Sequence, residues 1–380
     1  MTSNNPFSSG IGRFFEPPAD IELQGVARLL GQGSQSAFGL PISAASHVIG
    51  GAPSSTLGLL GLDLENLERW RRRREWNSWL EQAEKPASVS EEGTIDRARR
   101  NVRDAIDDSL WLSGQRISVE PQGSYHNNTN TRRDADVDLR ARHPLLKIDY
   151  EPDVIREYAD AALSYSYPGV QHDHLFAAMR RELQATLSRA FGAKNIVVGK
   201  KAIRVKGITG SRAEVDVVPT VGYHSVVWSA ASGRYLVQEG VAILATDGRW
   251  TLNYPEQHYA NGVSKRARTG HQFKKVVRSF KRLRADMSGR GMSKFALPSF
   301  LVESLIYNVE DGFFTVPGDD RYERMRRVAR RLQWMLHDEP TAATMVEVND
   351  IKRLFTLDQA WSWAGAIAFA DAVVAHLGDA

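Results

Sequence analysis

The sequence predicts an α+β fold, in which a mixed β-sheet domain with helices precedes an all-helical domain. Apolar residues alternate in short runs such as Ala213 to Val218, and glycines follow at the turns, which predicts strands. From Gly270 onward the apolar spacing is three or four, which predicts helices at 273–284, 299–309, 322–336, 348–354 and 358–377. The same spacing predicts a long helix ahead of the sheet, from about residue 90 to Leu112.

The composition limits the class of protein. The 380 residues suffice for two ordinary domains, and the absence of cysteine excludes disulfides, zinc–thiolate sites and a cysteine nucleophile. This composition fits a reducing cytosol, so we expect a cytoplasmic protein. The net charge of +4 suits a polyanionic substrate but is too small to require a nucleic-acid duplex.

The domain boundaries follow shifts in composition. Residues 1–62 are predicted to be a flexible Gly/Ser-rich extension, residues 63–265 the sheet domain with its N-terminal helices, and residues 266–380 the helical domain. The uncharged stretch 29–62 is broken by Gly and Pro, so we expect no membrane span there.

Arginines at positions 71–74 lie between Trp70 and Trp76, which permits two interpretations. Arginines with interleaved aromatics can contact nucleic acid. A short charge run is more often a solvated helix face with the tryptophans turned inward, and the sequence favours this interpretation.

A pair of acids marks the candidate site. Asp136 and Asp138 alternate with Val137 and Leu139, so a strand there directs both carboxylates to one face. Two carboxylates on one face repel each other unless a cation lies between them, and Mg²⁺ prefers such hard oxygen ligands. Asp134 shares their parity and stays an alternative for either one.

Asp216 is the candidate third acid, because Val215 and Val217 anchor a strand whose other face carries it. Glu214 shares that face and stays the competing candidate. Three such acids on neighbouring strands can hold two metal ions ~3.5–4 Å apart, which clamp the oxygens of a phosphoryl displacement. Gly123 and Ser124 precede the acids in a predicted tight turn, where backbone N–H groups and a hydroxyl can approach a phosphate.

Together, the Gly-Ser turn, the Asp-x-Asp pair and the later lone aspartate resemble the polymerase-β-like nucleotidyltransferases. Arg278 and Lys281, three residues apart on a predicted helix, resemble the cations of oligoadenylate synthetases and cGAS that reach the donor triphosphate. Ser299 after Pro298 resembles a serine that contacts the same nucleotide. The resemblance narrows to bacterial cGAS/DncV-like members at Asn253-Tyr254-Pro255, His258 and Lys265, and it covers residues 67–377.

The resemblance implies a polymerase-β-like core and a helical domain like that of oligoadenylate synthetases. It implies attack of a ribose hydroxyl on the α-phosphorus of a nucleoside triphosphate, two Mg²⁺ or Mn²⁺ ions, and a cyclic di- or trinucleotide product. One ion would be held by Asp136, Asp138 and Asp216, and the other by Asp136 and Asp138. In bacteria the product signals phage infection to an effector protein (CBASS). A thiolate zinc insertion for DNA sensing is not expected in a chain without cysteine.

Three alternatives stay open on the residues alone. The first is the same chemistry on another acceptor, such as a small molecule, an RNA end or a protein. The second is a pseudoenzyme that binds nucleotide without turnover. The third is a nucleic-acid-binding module built on the arginines at positions 71–74.

Overall fold

The structure, a computed structural model, describes residues 64–131, 137–167, 169, 171–291, 297–357 and 359–378, without the side chains of residues 64–67 and 89. The predicted extension 1–62 lies outside these residues. In the described part, the α-helices are α1 (Leu64–Ala83), α2 (Val89–Asp107), α3 (Leu110–Gly114), α4 (Gly123–His126), α5 (Arg156–Leu163), α6 (His172–Phe191), α7 (Pro255–Arg268), α8 (Phe273–Gly289), α9 (Ser299–Asn308), α10 (Arg321–His337), α11 (Glu339–Thr344) and α12 (Trp363–Leu377).

A mixed sheet of seven strands lies between α3 and α7. The strands are β1 (Ser118–Gln122), β2 (Val137–Tyr150), β3 (Ile196–Val198), β4 (Ile203–Val205), β5 (Val215–Ser229), β6 (Arg234–Leu244) and β7 (Trp250–Asn253). Their order is β1-β2-β5-β4-β3, with β6 paired to β5 and β7 paired to β6. The β2–β5 pair is parallel, whereas the other pairs are antiparallel. The α+β prediction is confirmed.

Two large apolar cores support the sheet and the helices. Helices α2 and α6 cover one face of the sheet, where Ile95, Leu183 and Val217 are buried together. Helices α8, α9, α10 and α12 form the second core around residues such as Phe280 and Phe369. Burial of apolar area at ~25 cal/mol per Å² is the main stabilising contribution to such cores. In the described part, no helix combines the length and the apolar character that a membrane span requires.

Three details differ from the sequence prediction. The helix predicted from about residue 90 to Leu112 ends at Asp107 as α2, and Ser109 caps a separate short helix, α3. Helix α7 precedes Gly270 and was not predicted, and the expected boundary at residue 265 lies inside it. The predicted helix at 348–354 is wrong, because Val346 and Arg353 form an antiparallel bridge around a turn instead. The Asn349 side chain accepts hydrogen bonds from the backbone N–H groups of residues 351 and 352, which stabilises this turn.

The arginines at positions 71–74 of α1 are all exposed. Arg73 pairs with Asp320. Trp76 packs against the helical core and stacks on Tyr322, with ring centroids 6.1 Å apart. Trp70, however, is exposed. This arrangement agrees with the solvated helix face, except that only the second tryptophan turns inward.

Candidate active site

The turn between β1 and α4 lies directly against the acid of β2. Gly123 has φ +72°, and a Cβ at this position would overlap Oδ2 of Asp138 and lie 2.9 Å from its Cγ. Only glycine adopts this conformation without strain and also leaves room for the carboxylate. The chain therefore brings the predicted phosphate turn and one predicted metal ligand into contact.

Asp138 and Asp216 are register partners on the parallel strands β2 and β5. Neighbouring strands are ~4.8 Å apart, so the two side chains on the same face lie side by side. Val137 and Val215 are fully buried on the opposite face, whereas both aspartates are partly accessible to solvent. These hard oxygen donors with solvent access fit a divalent cation such as Mg²⁺.

Two predicted acids cannot be placed. Asp136 and its alternative Asp134 lie outside the described residues. No group of three metal-binding side chains occurs within the part of the chain that the structure describes.

Ser124 follows the turn glycine in α4 and is half-buried. Its carbonyl accepts hydrogen bonds from the backbone N–H groups of Thr129 and Asn130, which folds the next loop back onto α4.

Asp216 is engaged by an arginine that the sequence did not single out. Arg204 of β4 is its register partner on the other side of β5. Nε of Arg204 donates to one Asp216 oxygen at 2.8 Å, and Nη2 donates to the other at 3.1 Å. Nη1 lies 3.2 Å from the Glu214 carboxylate. Glu214, the competing candidate for the third acid, thus shares its arginine with Asp216.

Arg278 of α8 holds the loop after α4. Its guanidinium donates to the carbonyls of Glu84 and Asn128, each at 2.7 Å, and the residue is buried. Burial and the neighbouring Arg282 lower the pKa of Arg278 to about 10. Asn128 itself has a positive φ of 53°, so the loop makes a sharp turn where the arginine binds it.

Lys281 lies one turn further along α8, in a buried polar network. Its Nζ donates to the Thr129 carbonyl at 3.1 Å and to Glu303 at 3.0 Å. Glu303 also accepts a hydrogen bond from the Thr129 hydroxyl at 2.6 Å and lies 3.0 Å from Nε2 of His258. Burial alone would raise the pKa of Glu303, but the Lys281 charge and the His258 hydrogen bond hold it well below its usual range.

Lys274 is a candidate site residue that the sequence reasoning missed. It is 6% exposed, yet no hydrogen bond or ion pair of its ammonium occurs among the described residues. The ammonium lies 5.7 Å from the ring centre of Tyr259, which stacks on His126 of α4. Burial lowers the pKa of Lys274, and the charges of Arg266 and Arg278 add to this effect against the opposing Glu303.

The position of Lys274 could have been a signal. Residues 274, 278 and 281 recur at helical spacing and share one face of α8. The ammonium makes no ion pair among the described residues, and the charges of Arg266 and Arg278 act on it, which is typical of a side chain that binds an anionic ligand. His126 faces the same environment, and burial together with the Arg140 and Lys274 charges lowers its pKa.

Ser299 begins α9 but is not its N-cap, because Pro298 holds that position. Its hydroxyl accepts a hydrogen bond from Arg284 at 3.1 Å. Phe300, the next residue, packs between His258 and Trp361. The start of α9 therefore lies next to the Glu303 network, and the Ser299 hydroxyl there is bound by Arg284 of α8.

Comparison with known proteins gives matches over most of the chain. Residues 260–378 match the family described as the cGAS/DncV-like nucleotidyltransferase C-terminal helical domain. The chain is 32% identical over 293 residues to the cyclic dipyrimidine nucleotide synthase CdnE of Legionella pneumophila, which covers 76% of this chain and 93% of the relative. It is 31% identical over 281 residues to the protein of the same name from Cecembia lonarensis, covering 73% of this chain and 90% of that relative.

A solved structure gives the same result for the fold. The Elizabethkingia meningoseptica CdnE cyclic dinucleotide synthase, solved with GTP and Apcpp, superposes with a TM-score of 0.63 and 25% identity. The superposition covers 80% of this chain and 99% of that chain. The matches to the two relatives and to this solved structure each cover more than two thirds of the present sequence. Each match therefore includes strands of the sheet as well as C-terminal helices.

Proposed function

The chain belongs to the family of cGAS/DncV-like nucleotidyltransferases, and from this we propose that it joins two nucleoside triphosphates into a cyclic dinucleotide. In each step a ribose hydroxyl oxygen forms a bond to an α-phosphorus, the hydroxyl proton is lost, and pyrophosphate leaves. Two such steps close the ring. The observation that carries the proposal is the pair of register partners Asp138 and Asp216 beside the Gly123 turn.

We propose that Asp138 and Asp216, together with Asp136, hold two Mg²⁺ or Mn²⁺ ions. The side-by-side carboxylates and their solvent access support this, because hard cations need several converging oxygens. Bound divalent ions supply charge stabilisation to the reacting phosphate and lower the pKa of the attacking hydroxyl. The aspartates orient the ions, and the Gly123 backbone sets the position of the Asp138 carboxylate.

The donor triphosphate is proposed to lie between the Gly123-Ser124 turn and Lys274. Ser124 is half-buried, and no hydrogen bond of its hydroxyl occurs among the described residues, so this donor is available to a phosphate oxygen. The ammonium of Lys274, which makes no ion pair among the described residues, would gain an anionic partner on binding and make a charge-assisted hydrogen bond. Arg266, exposed on α7, adds positive charge to the same region.

Arg278 and Lys281 remain proposed nucleotide-site residues, but with an indirect contact. Both bind carbonyls of the loop that leads from α4 toward the metal-binding strand. We propose that they fix this loop, and thereby the acids that follow it, while Lys274 contacts the phosphates. Ser299 is also proposed to have an indirect role, because its hydroxyl accepts a hydrogen bond from Arg284 at the start of α9.

The relatives suggest which substrates to test first. The two relatives from Legionella and Cecembia both carry the name cyclic dipyrimidine nucleotide synthase. We therefore propose a ring of two nucleotides, with UTP and CTP as the first candidates, made in antiphage (CBASS) signalling and sensed by an effector protein.

The test is mass spectrometry of products from all four nucleoside triphosphates with Mg²⁺ or Mn²⁺. We expect a cyclic dinucleotide and two pyrophosphates per ring, both absent in Asp138→Asn and Asp216→Asn variants that remain folded. Transfer of a single nucleotide to another acceptor would replace the proposal by the alternative acceptor reaction. Retained turnover in both folded variants would refute the site.

A further inference from the structure

Arg204 is bound to the carboxylate of Asp216, a proposed metal ligand. It is paired with Asp216 across adjacent strands, and its guanidinium binds both carboxylate oxygens, at 2.8 and 3.1 Å. This two-point geometry is the strongest form of an arginine–carboxylate pair. The Arg204 side chain is 46% exposed and that of Asp216 is 21% exposed, so the pair lies at the solvent side of the site.

A guanidinium and a divalent cation compete for one carboxylate. The arginine uses one lone pair of each Asp216 oxygen, so a metal ion that takes a remaining lone pair lies close to the guanidinium. The two cations also repel each other at contact distance. Solvent exposure of the site reduces this Coulomb repulsion without removing it. The repulsion therefore favours a partial withdrawal of Arg204 when the ion binds at Asp216.

Glu214 provides a second position for the arginine. Its carboxylate already lies 3.2 Å from Nη1 of Arg204, two residues before Asp216. The arginine can rotate toward Glu214 and keep an ion pair while it releases Asp216. Solvent around the exposed guanidinium leaves space for this movement.

We propose that Arg204 is a built-in counter-cation, which neutralises Asp216 in the metal-free enzyme and moves to Glu214 when the divalent ion binds. The inference rests on the proposed metal site of Asp138 and Asp216. It predicts weak metal binding without nucleotide, because an ion alone must displace the arginine. A nucleotide that brings its own ion and its phosphate charge offsets that cost, so the site fills together with its substrate.

The experiment is a titration of the nucleotide-free protein with Mn²⁺, in which electron paramagnetic resonance measures free Mn²⁺. We expect Arg204→Gln to bind Mn²⁺ about tenfold more tightly than the parent protein, since removal of a cation from the ligand favours the metal. Arg204→Lys, which keeps the charge but loses the two-point geometry, should give a smaller gain. Glu214→Gln should bind more weakly, because the arginine then loses the Glu214 carboxylate as an anchor.

The control for net charge is Arg249→Gln, which removes another exposed arginine that is paired with an aspartate, Asp247. It should leave Mn²⁺ affinity unchanged. Unchanged or weaker binding by both Arg204 variants would overturn the inference and make Arg204 a residue that orients Asp216 instead.

Failure of the proposed function gives a different result. Asp216→Asn should weaken Mn²⁺ binding, and combined with Arg204→Gln it should abolish the gain. If Asp216→Asn leaves Mn²⁺ binding intact in both backgrounds, the metal site itself is wrong, and the inference about Arg204 falls with it. If Asp216→Asn weakens binding but Arg204→Gln does not strengthen it, only the inference about Arg204 is refuted.

Discussion

Gly123 leaves the space that the carboxylate of Asp138 occupies, because a Cβ on residue 123 would lie 2.9 Å from Cγ of that side chain. Gly123→Ala should therefore displace the carboxylate and add strain of ~1 kcal/mol at a positive φ. A shift of about 1 Å at a reacting centre can cost ~10²-fold in rate, so we expect at least this loss in pyrophosphate release. Gly114→Ala, at an exposed position with open space and an ordinary φ, is the control. Near-normal turnover of Gly123→Ala would show that the Asp138 position does not matter.

Lys274→Ala should weaken binding of the nucleoside triphosphate. A charged hydrogen bond contributes ~1.5–3 kcal/mol, so a loss of ~2 kcal/mol raises the apparent KM about thirtyfold. The melting temperature of the ligand-free protein should stay the same or rise, because a buried ammonium that makes no ion pair among the described residues does not stabilise the fold. Steady-state pyrophosphate release and ligand-free melts test this. Lys275→Ala, the adjacent half-buried lysine, is the matched control, and a larger KM effect there would relocate the triphosphate.

Lys281→Ala should destabilise the protein itself. Removing one partner of a buried ion pair costs ~3–5 kcal/mol, since Glu303 would remain charged without its lysine. A double variant, Lys281→Met with Glu303→Leu, removes both charges and should recover much of that loss. Thermal and urea unfolding measure the effect. If Lys281→Ala melts normally and only raises KM, the direct phosphate contact predicted from the sequence is correct.

The Glu303 carboxylate should make stability depend on acid pH. Its pKa is lower in the folded protein than in the unfolded chain, where glutamate titrates at ~4.3. The stabilisation is therefore complete above about pH 4.3 and is lost as the pH falls below this value toward the folded pKa. Glu303→Gln should show a shallower fall of unfolding free energy in this range, by up to ~1.4 kcal/mol per pH unit. Urea unfolding of both proteins at several acid pH values tests this, and equal slopes would contradict it.

Residues 1–62 should be dispensable for chemistry. Their Gly/Ser-rich and nearly uncharged sequence is poor material for a catalytic wall, and α1 begins only at Leu64. A chain that starts at Asp63 should keep its turnover rate for pyrophosphate release. A folded but inactive truncated protein would assign the extension to the enzyme.

The sequence predicted the faces of the central strands but not their lengths. Alternation of Val137 with Leu139, and of Val215 with Val217, predicted which residues are buried. Strand β2 nevertheless continues to Tyr150, past Pro144, which lacks the N–H that a central strand uses. A register shift between His143 and Leu146 accommodates this proline, and such a shift depends on the partner strand rather than on local sequence.

The cations of α8 show the same limit for the site. Helical spacing places residues 274, 278 and 281 on one face, but it does not tell which of them meets a protein anion. Lys281 finds its partners in Glu303, 22 residues later, and in Thr129, 152 residues earlier. Only the folded chain reveals that Lys281 makes these contacts, whereas Lys274 makes no ion pair among the described residues.

The hydrogen bonds from Arg278 and Lys281 to the carbonyls of Asn128 and Thr129 limit where recombination can divide the gene for this protein. A gene cut between the sheet and the C-terminal helices would yield one piece whose loop lacks its donors and another in which Arg278 and Lys281 lack these carbonyl acceptors. Neither piece would be an independently folding domain. Recombination would therefore pass the sheet and these helices on together, and substitutions in the loop would be accepted only with matching changes in α8.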